Sequence, residues 1–122
     1  MFNCGQQKKF HQNPRLLSFS NKMIYSQDSL QYIKASLYQA ICDSSFNPYT
    51  DTIKYLQRKI YISFLRNAAG CANYKGNIDI REDTIKLLLE NLSEEVCSEE
   101  NCWRLIYEIE NNGNKRYVIK KY

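Results

Sequence analysis

A chain of 122 residues has the length of one ordinary domain and is too short for two. With 43% hydrophobic and 25% charged residues it has a globular composition, and no apolar run approaches the roughly 20 residues that a membrane-spanning helix needs. The net charge of +4 belongs to residues 1–27, where Lys8, Lys9, Arg15 and Lys22 stand without an acid, so the remainder is neutral.

Residues 1–26 read as a basic N-terminal leader or extension. The stretch is acid-free, contains serines, and offers a short amphipathic helix after Asn13-Pro14, in the manner of an organellar transit peptide. It lacks the unbroken apolar segment of a secretory signal. The five cysteines, Cys4, Cys42, Cys71, Cys97 and Cys102, are odd in number and scattered, which points to thiols in a reducing, intracellular compartment.

Residues 27–122 read as a single helical domain with a C-terminal hairpin. Asp28 and Gln31 form a capping box, and Leu30, Ile33, Leu37 and Ile41 recur at helical spacing to about Cys42. Asn47-Pro48 then supplies an N-cap and a first-turn proline for a longer helix that runs to Ala69 and stops at Gly70. On a 100° wheel, Ile53, Leu56, Ile60 and Phe64 share one arc, and Lys54, Arg58, Lys59 and Arg66 share the opposite one.

Asp79 and Glu82 make another capping box, followed by Ile85, Leu88, Leu92 and Val96 as a third, acidic helix. After Asn101 the period becomes two. Trp103, Leu105, Tyr107 and Ile109 alternate with Arg104, Ile106, Glu108 and Glu110 as a half-buried strand. Asn112-Gly113 predicts a tight hairpin that sets Glu110 opposite Lys115 and Tyr107 opposite Val118. The fold class expected is therefore mainly α, a three-helix antiparallel bundle closed by a β-hairpin.

The residues from which active sites are built are sparse. His11, the single histidine, lies in the leader, so no Cys-His or Ser-His pair can form within the domain. Cys97 and Cys102 have no second ligand pair at zinc-site spacing, and Glu94-Glu95 and Glu99-Glu100 read as a solvated acidic face. No glycine-rich loop cradles phosphate. These features predict a non-catalytic protein with neither metal nor cofactor.

Leu37-Tyr38-Gln39, followed by the basic segment Arg58-Lys59-Ile60-Tyr61-Ile62-Ser63-Phe64-Leu65-Arg66-Asn67, resembles the LYR-motif family of small mitochondrial three-helix proteins across residues 30–96. The resemblance implies an accessory or assembly subunit in the mitochondrial matrix that binds an acidic acyl carrier protein. Tyr38, Gln39, Lys54, Arg58, Lys59 and Arg66 would be the docking residues. Leu37, Ile41, Ile60 and Phe64 would line a tunnel for the acyl chain of the carrier's phosphopantetheine arm. Gln39 departs from the family's arginine and loses its charge and bidentate reach.

A second reading takes three helices and a hairpin as a winged-helix nucleic-acid binder, with Lys115, Arg116, Lys120 and Lys121 on the wing. Glu82, Asp83, Glu90, Glu94 and Glu95 on its recognition helix would repel phosphate. A third is a protein-interaction domain of another kind, viral or otherwise, with a merely solvated basic arc.

Overall fold

Residues 11–25, 46, 50–70, 72–93 and 100–121 are described by a computed structural model of the chain. They form strands β1 (Leu16–Tyr25), β2 (Thr52–Leu56), β3 (Lys59–Ala69), β4 (Tyr74–Arg81), β5 (Thr84–Asn91), β6 (Glu100–Glu110) and β7 (Val118–Lys121). There is no helix among the described residues, so the expected three-helix bundle is overturned. The first expected helix, with Leu37, Tyr38, Gln39 and Ile41, lies outside them.

The strands build two sheets, one ordered β1-β6-β3-β2 and antiparallel throughout, the other ordered β4-β5-β7. In the second, β4 and β5 are antiparallel while β5 and β7 run parallel. One hydrophobic core lies between the sheets. It takes Ile60, Ile62 and Phe64 from β3, Leu105, Tyr107 and Ile109 from β6, and Ile78, Ile85 and Leu87 from the second sheet.

The segment expected to be the long second helix is a hairpin, β2 and β3, with Leu56 opposite Lys59 across a two-residue turn at Gln57-Arg58. Residues 59–64 (Lys-Ile-Tyr-Ile-Ser-Phe) are rich in β-branched and aromatic side chains, and Ile60, Ile62 and Phe64 satisfy a period of two as well as Ile60 and Phe64 satisfy a helical one. What was missing from the sequence was a turn signal. Arg58 itself adopts the left-handed conformation, at φ 60°, with no glycine or asparagine to announce it.

The third expected helix fails for the same reason. Asp79 and Glu82 are no capping box: Asp79 belongs to β4, and Glu82, at φ 55°, opens the turn that reverses the chain into β5.

The strand read from Trp103 to Ile109 is present as β6, with Trp103, Leu105, Tyr107 and Ile109 buried. The hairpin after it is not. Because β6 already pairs with β1 on one side and β3 on the other, no edge remains for a returning strand. The chain turns at Asn111–Asn114 and crosses to the second sheet, where β7 pairs with β5. Buried Asn111 fixes that crossing by donating from Nδ2 to Lys115 O (2.9 Å) and accepting from Lys115 N at Oδ1 (3.1 Å).

Leu16–Tyr25, within the stretch read as a leader, is an outer strand of the first sheet, a strand where a short helix was expected. Its Phe19 packs on Tyr107 and over Gly76, where a Cβ would run into the Phe19 ring. Tyr107 also joins the sheets, its hydroxyl donating to Leu88 O at 2.7 Å. Buried Cys102 is disulfide-bonded, which corrects the reading of that cysteine as a thiol; the other four cysteines lie outside the described residues. No helix among the described residues is long and apolar enough to cross a membrane.

Candidate anionic-partner interface

At one end of the molecule the β2–β3 turn, the start of β1 and the crossing between β6 and β7 converge on two tyrosines. Tyr55, facing Ile60 on β2, reaches across the sheets to Tyr117. Its hydroxyl donates to Tyr117 O (3.0 Å) and accepts from Tyr117 N (3.1 Å), so one side chain satisfies both backbone groups just before β7 begins.

Cations cover both rings. The Arg116 guanidinium stands 4.3 Å from the centre of Tyr55, while Lys115 Nζ and the Arg15 guanidinium stand 5.1 and 5.7 Å from that of Tyr117. Contacts of this kind contribute about 0.5–1 kcal/mol each at exposed sites. Arg15 is anchored further, because Nε and Nη2 donate to Glu110 O (3.3 and 2.8 Å) and Nη2 also donates to the Tyr117 hydroxyl. Lys115 Nζ donates to Glu82 O at 3.3 Å.

Arg58 occupies the adjoining β2–β3 turn. Its N–H donates to Asn114 Oδ1 (2.7 Å) and its carbonyl accepts from Asn111 N (2.9 Å), which fixes the left-handed backbone while the side chain stays exposed. None of the ion pairs among the described residues involves Arg15, Arg58, Lys115 or Arg116. Rings and carbonyls hold Arg15, Lys115 and Arg116, and no ion pair among the described residues compensates their charge.

The remaining basic residues expected to dock a partner do not share one surface. Lys54 is exposed on β2, and Lys59, next to the turn, pairs with Glu108 at 2.7 Å. Arg66 lies opposite Trp103 in register, on the side of β3 that carries Ile60, Ile62 and Phe64, and is half-buried. A strand sends alternate residues to opposite faces, so Arg66 is separated from Lys54 and Lys59 although a helical wheel groups them. Ile60 and Phe64, expected to line an acyl tunnel between helices, are packed in the core between the sheets.

Of the cations read as a nucleic-acid wing, Lys115 and Arg116 belong to this end, Lys120 is exposed on β7, and Lys121 is buried in an ion pair with Asp51. Arg15, Tyr55 and Tyr117 escaped the sequence reading. Tyr55 and Tyr117 are 62 positions apart, and Arg15 and Tyr117 102, distances over which no local pattern operates.

A concavity of about 310 Å³ nearby is lined by Asp79, Arg81, Glu82, Asp83, Lys86 and Lys120, in which acids and bases balance. The described residues contain no group of three or more His, Cys, Asp or Glu placed to hold a metal ion. No protein-family model, curated protein or solved structure matches the chain.

Proposed function

We propose that the protein is a non-catalytic binding domain that docks an acidic protein segment on the cationic end formed by Arg15, Arg58, Lys115 and Arg116. One observation carries this reading: three cations, Arg15, Lys115 and Arg116, converge on a tyrosine pair, exposed Arg58 sits in the adjoining turn, and none of the four is in an ion pair among the described residues. Such an arrangement steers and orients an anionic partner.

An acidic protein suits the site better than nucleic acid. A base that stacked on either tyrosine would compete with the cations already over the rings.

The test is fluorescence anisotropy with labelled polyglutamate and with a single-stranded oligonucleotide of equal charge. The acidic peptide is expected to bind, with Arg58→Glu plus Arg116→Glu weakening it at least tenfold, about 1.4 kcal/mol. Arg58→Gly separates binding from folding, because it removes the charge while relieving the left-handed backbone by about 0.5–1 kcal/mol. Undiminished affinity in the double variant refutes the interface, and preference for the oligonucleotide refutes the choice of partner.

A further inference from the structure

We propose that Lys121 and Asp51 condense into an intramolecular amide that covalently joins the two sheets. Lys121 Nζ lies 3.3 Å from Asp51 Oδ2, and the two side chains are only 8% and 4% exposed. The ring of Phe46 is centred 4.4 Å from the nitrogen and that of Phe64 4.6 Å, so two aromatic rings flank the ammonium. A buried ion pair in such a setting is seldom worth its desolvation, which makes a neutral, covalent product an accessible alternative.

The reaction balances without any other reagent. An ammonium and a carboxylate together hold the atoms of one amide and one water. Transfer of a proton from Nζ to Oδ2 gives amine and carboxylic acid. The nitrogen lone pair then attacks Cγ. Oδ2 takes a second proton from the nitrogen and departs as water as the C–N bond becomes an amide. The rings attract the ammonium and hold it at the carboxylate until the first proton moves.

The two carboxylate oxygens are placed for different roles. Oδ2 faces the nucleophile, whereas Oδ1 accepts hydrogen bonds from Leu65 N (3.1 Å) and the Thr50 hydroxyl (3.1 Å). Negative charge develops on Oδ1 when the nitrogen adds, and these donors are fixed there beforehand. Thr50 is itself held, its carbonyl accepting from Arg104 Nη1 at 3.1 Å while the same nitrogen donates to Ser63 Oγ at 2.7 Å. The ion pair holds the nitrogen 3.3 Å from the oxygen that is to leave, within one side-chain rotation of Cγ.

The bond would connect the lead-in to β2 in one sheet with the end of β7 in the other, closing a loop across 70 positions of sequence. Intact-mass spectrometry of the folded, fully reduced full-length chain tests it. The expected mass is one water below that of the sequence, and a protease digest should yield a branched peptide whose fragments place the bond between Lys121 and Asp51. Lys121→Arg should restore the full mass. A wild-type protein of full mass overturns the proposal. So does a water loss that persists in Lys121→Arg, since that would come from imide formation at Asp51 alone.

Discussion

Glu108 stands on the first sheet between two donors, with Lys59 Nζ at 2.7 Å from one carboxylate oxygen and the Ser18 hydroxyl at 2.7 Å from the other. Hydrogen bonding to Lys59, and then to Ser18, holds its carboxyl below the usual 4.5. A depressed folded-state pKa contributes stability that is present above the unfolded value and is lost as pH falls through the folded one. The loss therefore belongs below about pH 4.5. At this partly exposed position it should amount to only a few tenths of a kcal/mol. Urea unfolding at pH 7 and pH 3 should show Glu108→Gln less acid-sensitive than wild type by that amount; equal sensitivity would mean the contacts do not persist in solution.

Single residues also explain where the sequence misled. Arg58 and Glu82 take left-handed backbones that cost about 1 kcal/mol or more for a residue with a Cβ. Neighbours settle the matter for Arg58, through Asn114 and Asn111. Asn112-Gly113 shows the reverse case. It does mark a turn, but the left-handed residue there is Asn114, at φ 50°, and the chain does not fold back on β6.

At the scale of the element, β7 is short, and its four residues alternate exposed and half-buried. It holds its place through parallel pairing to β5, through Val118 N donating to Asp83 O (2.7 Å), and through the Tyr55 hydroxyl bracketing Tyr117. Tyr55→Phe removes that double hydrogen bond with almost no change of shape, and leaves two backbone groups to find water. A destabilisation of about 1–3 kcal/mol follows. Hydrogen exchange should localise the effect, with faster exchange at Tyr117 and along β7 than in β3 or β6. Uniform acceleration would show that β7 opens only with the whole domain.

The central strands are the converse. β3 and β6 pair over eleven residues in continuous register from Lys59 opposite Glu110 to Ala69 opposite Glu100, and each is flanked on its other edge as well. Strand β6 was legible because it is long, strictly alternating and free of any competing helical period. Strand β3 was ambiguous because Ile60 and Phe64 serve both periods.

For the molecule as a whole, contacts between distant parts of the chain dominate: Ser18 meets Glu108 across 90 positions, and Tyr55 meets Tyr117 across 62. Closing such loops before any contact rewards them slows folding. Refolding in stopped-flow experiments on the oxidised protein should take milliseconds to seconds rather than the microseconds of a helical bundle. Microsecond folding would contradict the sheet topology. The sheets are further tied by the Tyr107–Leu88 bond and the Lys121–Asp51 pair, both formed between elements remote in sequence.

By itself the sequence determined the period-two burial of β6, the turn after it and the placement of the excess charge. These are local or compositional properties, readable without a partner. The tertiary structure alone decided that the remaining apolar periods would be strands, that both edges of β6 would be occupied, that Arg15, Arg58, Lys115 and Arg116 would share one end, and that Lys121 would face Asp51. Each depends on which segments meet. A strand completes its hydrogen bonds only with a neighbour, and a helical segment completes them within itself, so a sequence that suits both periods is settled by the company it finds.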